Sequence, residues 1–334
     1  MKIEHMLRVA INGFGRIGRH LLHAGLQDKN IEWVAINDLA DSHTLAYLLK
    51  HDSVFGLFKG TISATPGVIV VDGRKISILN EKDASRLPWR KLQVDVVVEC
   101  TGLMASRDAA AVHLRAGAHK VLVSAPCDNA DITLVKGVNE KKYHKKKHNI
   151  ISNASCTTNA LAPIVKVLQE ALGIKHGFML TAHALTADQR LIDAPHKDLR
   201  RGRAAALSIV PSTTGAAKTV AEVLPELAGK LDGMSWRVPV PDGSIVNFSC
   251  VVKKQTSVRE VNELLRKASK GVMKGIIDVT NEELVSHDII GNSHSCVVDA
   301  LSTLVIDKHL VSVAAWYDNE WAYACRIIDI LKIL

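Results

Sequence analysis

The chain has 334 residues, 47% of them hydrophobic and 23% charged, and carries a formal net charge of +8. That length allows two domains with substantial cores, and the composition excludes an intrinsically disordered protein. The longest apolar runs, around Asp95 to Val98 and from Leu310 to Trp316, fall short of the roughly 18 to 20 residues of a spanning helix, which excludes a membrane span. The start, Met1-Lys2-Ile3-Glu4-His5, leads into a strand-like Leu7 to Ile11 with no signal-peptide layout, so the expected compartment is the cytoplasm. Six scattered cysteines, at 100, 127, 156, 250, 296 and 325, form no Cys-x-x-Cys pair and read as reduced thiols, with no metal site.

Leu7 to Asn12 reads as a short apolar strand, followed at once by Gly13-Phe14-Gly15-Arg16-Ile17-Gly18 and a helical pattern through Ile17, Leu21, Leu22 and Leu26. In a Gly-x-Gly-x-x-Gly turn the first glycine permits the tight bend, the second lets the backbone approach a pyrophosphate, and the third lets helix and strand pack closely. A second strand, Ile31 to Asn37, ends at Asp38, 20 residues beyond Gly18, where a carboxylate would accept the ribose hydroxyls of a dinucleotide. The same charge repels a 2'-phosphate, so the pattern favours NAD over NADP. Further strands at Val94 to Cys100 and Lys120 to Ser124, with a helix over 106–116, imply a parallel sheet with helices on its faces. Residues 61–79, with Asp72-Gly73 as the turn, predict an inserted antiparallel excursion. The basic run Lys141 to His148 reads as a solvated face, or as a secondary, salt-sensitive contact for nucleic acid.

The most informative segment is Ser152-Asn153-Ala154-Ser155-Cys156-Thr157-Thr158-Asn159. Leu161, Ile164, Val165, Leu168 and Leu172 follow at helical spacing, so Cys156 stands in the first turn of an amphipathic helix. A helix N-terminus and a nearby imidazolium lower a thiol pKa, which predicts a reactive thiolate; a buried structural cysteine beside an N-cap is the alternative.

Beyond this helix the pattern changes to long strands at 177–186, 235–253 with a Pro241-Asp242-Gly243 interruption, 296–306 and 310–315, with a helix over 258–269. This predicts a second, α+β domain with a mainly antiparallel sheet. Residues 191–207 read as a functional or subunit-contacting polar loop. His183 is a candidate partner for Cys156, since a thiol with a neighbouring imidazole is an activated nucleophile. Thr214-Gly215 before a helical 216–224 is a candidate anion site or a simple cap, and Arg237 a phosphate clamp or an ion-pair partner.

In order and over nearly its whole length, the chain resembles the phosphorylating glyceraldehyde-3-phosphate dehydrogenases. The resemblance is carried by Ile11 to Arg19, the cysteine run, His183-Ala184-Leu185-Thr186, Ser212 to Lys218, Arg237-Val238-Pro239 and Trp316 to Trp321. It implies a Rossmann-type doubly wound domain over 1–154, completed by a C-terminal helix over 319–334, and a catalytic domain over 155–318. It further implies that Cys156 is the nucleophile and His183 its activator. Gly13, Gly15, Arg16, Ile17, Gly18, Asp38, Lys82, Ser124 and Asn319 would hold NAD. Ser155, Thr157, Thr214 and Gly215 would bind one phosphate, and Thr186, Asp188, Arg201 and Arg237 the other. Glyceraldehyde 3-phosphate and inorganic phosphate are the implied substrates, a homotetramer the implied assembly, and a thioester on Cys156 the implied intermediate. The chain departs from the family pattern at Ala160, where many relatives have a second cysteine, and at Ala194, Ala322 and Ala324. Erythrose-4-phosphate dehydrogenase, sharing the glycine motif and the cysteine run, is the runner-up; a basic binding protein that retains the fold is a further alternative.

Overall fold

The computed structural model describes residues 6–334. They divide into two compact units, one of residues up to Leu134, Lys142–Ala154 and Ile327–Leu334, the other of Val135–Lys141 and Ser155–Arg326.

The first unit opens with β1 (Leu7–Asn12), α1 (Arg16–Gly25), β2 (Ile31–Asn37) and α2 (Ser42–Lys50). A two-strand ribbon, β3 (His51–Asp52) with β4 (Gly56–Leu57), precedes the meander β5 (Ile62–Thr65), β6 (Val68–Val71) and β7 (Arg74–Leu79). Then come β8 (Val96–Glu99), α3 (Arg107–Arg115), β9 (Lys120–Val123), β10 (Ile132–Thr133) and β11 (Ile150–Ser152). All except β3 and β4 join one sheet in the order β10-β11-β9-β8-β1-β2-β7-β6-β5. Val9, Ala10, Ile11, Ile36, Val97, Val98, Val121 and Leu122 are fully buried, the continuous apolar pattern of parallel strands covered on both faces.

Residues 61–79 are more than an excursion. Asp72 and Gly73 do form a tight turn at positive φ, but β7 also pairs in parallel with β2, from Ala35↔Ser77 to Asn37↔Leu79. Ile76 and Ile78 are buried there, which draws the strand into the main sheet. The basic run has a structural task as well. Lys120 at the start of β9 is buried, and its ammonium donates to Lys145 O at 2.7 Å and His148 O at 2.8 Å, so the loop wraps around one cation while the lysine side chains of the run face solvent.

In the second unit α4 (Cys156–Leu172) and β12 (Ile174–His183) precede β13 (Val210–Ser212), α5 (Ala216–Val223), β14 (Leu231–Arg237) and β15 (Ser244–Val252). They are followed by α6 (Val258–Lys270), β16 (Ile277–Thr280), β17 (Cys296–Ile306), β18 (Leu310–Tyr317) and α7 (Trp321–Leu331). The sheet order is β13-β14-β12-β15-β18-β17-β16, antiparallel except for the β12–β14 and β16–β17 pairs. The strands on either side of Pro241-Asp242-Gly243 do not pair with each other; they flank β12 on opposite sides.

Two segments depart from the expected partition. Val135–Lys141 belongs to the second unit, where Lys166 Nζ donates to Gly137 O and Val138 O at 3.0 Å each. The boundary at the other end falls inside α7, after Arg326, whose guanidinium donates to Gly275 O at 3.0 Å. Lys332, beyond it, pairs with Asp28 at 2.9 Å. Among the described residues no helix is long and apolar enough to cross a membrane, and no group of three or more His, Cys, Asp or Glu could hold a metal ion.

Candidate active site

Ala154 takes a φ of +54°, a left-handed conformation unfavourable for a residue with a Cβ. Ser155 returns to extended backbone as the N-cap of α4, its Oγ accepting from Thr158 N at 3.0 Å. This turn fixes Cys156 as the first residue of α4. Its sulfur lies 3.3 Å from His183 Nε2, at the last residue of β12. The parallel register places Arg237 opposite His183, with Arg237 Nη1 2.6 Å from His183 Nδ1. Ala184 O lies 2.7 Å from the same ring nitrogen and 3.2 Å from Nη1.

The electrostatics differ from the expected thiolate beside an imidazolium. Burial, reinforced by the Arg237 charge, pushes His183 down to about 3, so the ring is neutral at physiological pH. Burial also pushes the Cys156 thiol up, against the pull of Arg237 and of the Thr157 polar groups. The resting pair is therefore a thiol beside a neutral imidazole, because no ring charge is present to stabilise the anion.

A hydroxyl chain lies beneath the thiol. Thr181 Oγ1 donates to Ile245 O at 2.9 Å, so the Tyr317 phenol donates to Thr181 and accepts from Thr157 Oγ1, both at 2.9 Å. The Thr157 hydroxyl, expected at a phosphate, is buried and committed to Tyr317. Tyr317 stands inside the quoted C-terminal motif, yet sequence alone gave it no role.

Two guanidiniums gather on the strand side. Arg201 donates to Ser212 Oγ through Nε at 2.9 Å and Nη2 at 2.6 Å, and pairs with Asp188 through Nη1 at 2.5 Å. Burial raises Asp188, but Arg201 and His196 outweigh it and hold the carboxyl below its usual range. Arg237 Nε is buried without a hydrogen-bond partner, an unsatisfied donor in the interior. Thr186 lies three residues past the end of β12, in a loop rather than on the expected strand, its amide donating to Gln189 Oε1 at 3.2 Å. Thr214 Oγ1 accepts from Ala216 N at 3.2 Å, and Gly215, with open space where a Cβ would stand, caps α5 without a side chain. Asn319 Oδ1 accepts from Ser244 Oγ at 2.6 Å, and Ser244 Oγ accepts from Ala184 N at 3.0 Å. Ser244 thereby holds the Asn319 amide by its oxygen; nothing in its local sequence marked Ser244.

In the first unit the glycine turn has the shape a dinucleotide requires. A Cβ on Gly13, at φ +93°, would meet Thr101 N at 2.7 Å, and one on Gly18 would meet Gly13 O at 2.3 Å. A Cβ on Gly15 would meet nothing within 4 Å, which leaves its backbone open to a ligand. Asp38 Oδ2 accepts from Phe14 N at 2.8 Å, and Asn80 Nδ2 donates to Asp38 O at 2.9 Å, so the carboxylate is held against the glycine turn. These residues fit NAD. Ile17 lies in the first turn of α1, and the Arg16 side chain beside it is turned to Asp52, at 2.8 Å. Ser124 Oγ donates to Glu99 O at 2.9 Å at the end of β9. Lys82 is exposed in the loop after β7.

Two family models match: glyceraldehyde 3-phosphate dehydrogenase, NAD binding domain, over residues 7–107, and its C-terminal domain over 155–319. The chain is 53% identical over 324 residues to a glyceraldehyde-3-phosphate dehydrogenase of Geobacillus stearothermophilus, covering 97% of each chain. It is 51% identical over 330 residues to the Kitasatospora aureofaciens enzyme, covering 98% and 99%. With glyceraldehyde-3-phosphate dehydrogenase 2 of Bacillus subtilis the identity is 49% over 326 residues, covering 98% and 96%. The chain belongs to the glyceraldehyde-3-phosphate dehydrogenase family.

Proposed function

We propose that the chain oxidises and phosphorylates D-glyceraldehyde 3-phosphate to 1,3-bisphosphoglycerate, using NAD and inorganic phosphate. The observation that carries this reading is the 3.3 Å approach of the Cys156 sulfur to His183 Nε2, with two guanidiniums beside the pair, on a chain of this family.

Cys156 adds to the aldehyde carbon as its thiol proton passes to His183 Nε2, giving a hemithioacetal. Arg237 donates to His183 Nδ1 in the resting state, so the ring proton sits on Nε2; an anion that draws the guanidinium away lets the ring change tautomer, its proton passing to Nδ1 and on to a bond with Ala184 O, which leaves Nε2 as the acceptor of the thiol proton. The Cys156 amide and the protonated ring then stabilise the developing oxyanion. The chemistry NAD supplies when bound is acceptance of a hydride. Loss of hydride from the hemithioacetal carbon leaves a thioester on Cys156; attack by a phosphate oxygen breaks the C–S bond, and the sulfur leaves as a thiolate.

Arg237, Arg201, Asp188 and Thr186 serve the substrate phosphate, the orphaned Arg237 Nε being the donor it satisfies. Ser155, Thr157, Thr214 and Gly215 serve the attacking phosphate, Thr157 through its amide because its hydroxyl is engaged. Gly13 to Gly18, Asp38, Lys82 and Ser124 hold the dinucleotide, and Asn319 presents its amino group to the nicotinamide. On this reading 1–154 with 319–334 serve NAD and 155–318 serve catalysis, a division of function that differs from the packing units at Val135–Lys141 and within α7.

The active form is a homotetramer. Phe178, Trp236, Leu301, Leu304 and Ile306 are exposed on strands of the second sheet, and Leu191, Ile192, Leu199 and Leu207 on the loop after β12, apolar side chains that neighbouring copies would cover. The six free cysteines suit the reducing cytoplasm.

The test is NADH formation from the triose phosphate with and without inorganic phosphate, with erythrose 4-phosphate and NADP as controls. Fast, phosphate-dependent reduction of NAD supports the proposal; preference for the tetrose phosphate overturns it. Light scattering on a sizing column tests the assembly, and a monomer mass in the active sample overturns the tetramer.

A further inference from the structure

Two carboxyl groups are buried together where β15 begins and β18 ends. Ser244 opposes Tyr317 in that antiparallel pair, so the chain leaving it runs Gly243 past Asp318 and Asp242 past Asn319, one place from the Asp318 carboxyl. Both aspartates are 1% exposed. Asp318 accepts three backbone donors, Gly291 N on Oδ2 at 2.7 Å and Glu320 N and Trp321 N on Oδ1 at 2.9 and 2.7 Å, which leaves one lone pair on Oδ2. Asp242 has a single donor, Gly243 N to Oδ1 at 2.8 Å, and its Oδ2 is buried with no partner. Two ionised carboxylates cannot bond to each other, and burying both is costly. A proton on Asp242 Oδ2 turns that orphan acceptor into a donor to Asp318.

We propose that Asp242 and Asp318 share one proton, carried by Asp242, and that this bond fixes the turn bearing Asn319. Asp242 is thus a positioning residue, two positions before the Ser244 that holds the Asn319 amide. The positioning role rests on the reading of Asn319 as the nicotinamide contact; the shared proton does not. The other titratable groups facing Asp242 are Glu320 on the same turn as Asp318 and Cys156 at the start of α4. Ser286 begins the short helix Ser286–Ile289, and its carbonyl lies 2.0 Å from where a Cβ on Gly243 would stand; His287 and Asp288 of that helix are exposed.

Burial, with the charges of Asp318 and Glu320, pushes Asp242 up to about 9, from an ordinary value of 3.8. Between those limits the folded protein holds a proton that the unfolded chain lacks. This contribution to stability is therefore complete below 3.8, declines as pH rises, and is gone above about 9. In Asp242→Asn the side chain is neutral in both states and donates to Asp318 permanently, so the slope disappears.

The experiment compares wild type and D242N by denaturant unfolding, difference infrared spectroscopy and the KM for NAD, from neutral pH to beyond about 9. Below that value the wild-type unfolding constant should rise, relative to D242N, about tenfold per pH unit. The wild type should show a protonated-carboxyl band that D242N lacks. Its KM for NAD should climb as that band is lost, while that of D242N stays level. Parallel unfolding curves without the band overturn the shared proton, and a band lost with no change in KM overturns the positioning role. If D242N does not fold, the infrared titration of the wild type decides alone. Failure of the functional reading shows separately, as absence of triose-phosphate turnover at every pH.

Discussion

Arg237 and His183 stand opposite each other in the β12–β14 pair, with Nη1 2.6 Å from Nδ1. A guanidinium only donates, so Nδ1 is the acceptor and a neutral ring carries its proton on Nε2, toward Cys156. On the proposed reading, base and anion site are thereby linked through one side chain. Arg237→Leu should lower kcat/KM for the triose phosphate about 10- to 100-fold, the worth of one charge-assisted bond. Because Arg237 helps hold His183 down, its loss should also move the acidic limb of the pH–rate profile to higher pH. A limb that stays in place would show that the guanidinium acts on substrate alone.

Cys156 is half-buried, and loss of water around the sulfur holds its thiol above the ordinary 9.0. Alkylation by iodoacetamide should accelerate from neutral pH to beyond that value rather than reach an early plateau. Arg237 pulls the thiol down, so R237L should be alkylated more slowly at a given pH. Cys156→Ser should abolish oxidation while NAD still binds, and His183→Asn should lower kcat by about 10² to 10⁴. An early, neutral-pH plateau in wild-type alkylation would restore the thiolate–imidazolium pair expected from the sequence.

The glycine turn, Asp38 and the cysteine helix were legible because each depends on local rules: residue type, spacing and periodicity. The His183–Arg237 pair was not, because it arises from the register of two strands 54 positions apart. Tyr317 and Ser244 reach the site through hydroxyl contacts that local sequence does not show. The thiol and imidazole pKa values were misjudged for a related reason. Sequence shows a dipole and a candidate partner, whereas burial, the dominant influence on both groups, exists only once the chain has packed. The reach of β7 into the main sheet was likewise hidden by a turn that reads as a simple hairpin.

Asp38 accepts from Phe14 N through Oδ2 and from Ala40 N through Oδ1, and on the proposed reading its charge meets the ribose of NAD. Asp38→Ala should therefore raise the KM for NAD by about tenfold or more, the loss of a charge-assisted bond. It should also narrow the preference for NAD over NADP, since the repelling charge is gone. The check is kcat/KM for both cofactors at fixed substrate; an unchanged ratio would assign specificity elsewhere.

Glu99, 1% exposed at the end of β8, shows how the first sheet holds its ligand edge. Its Oε1 accepts from Thr101 N at 2.7 Å and from the Thr101 hydroxyl; its Oε2 accepts from Asn12 Nδ2 at 2.6 Å and His113 Nε2 at 3.1 Å. Trp89 Nε1 donates to His113 Nδ1 at 3.0 Å, which leaves Nε2 as the nitrogen that donates to Glu99. Burial opposes ionisation of Glu99, but the bonds from His113, Thr101 and Asn12 outweigh it and hold the carboxyl below its usual 4.5. Its contribution to stability is then complete above 4.5 and is lost as pH falls through the lower folded value. Glu99→Gln places an amide nitrogen among donors and should cost about 2 to 3 kcal/mol at neutral pH. The gap between wild type and E99Q should close as acid protonates the wild-type carboxyl. A gap that persists unchanged into acid would mean that Glu99 is not held as an anion.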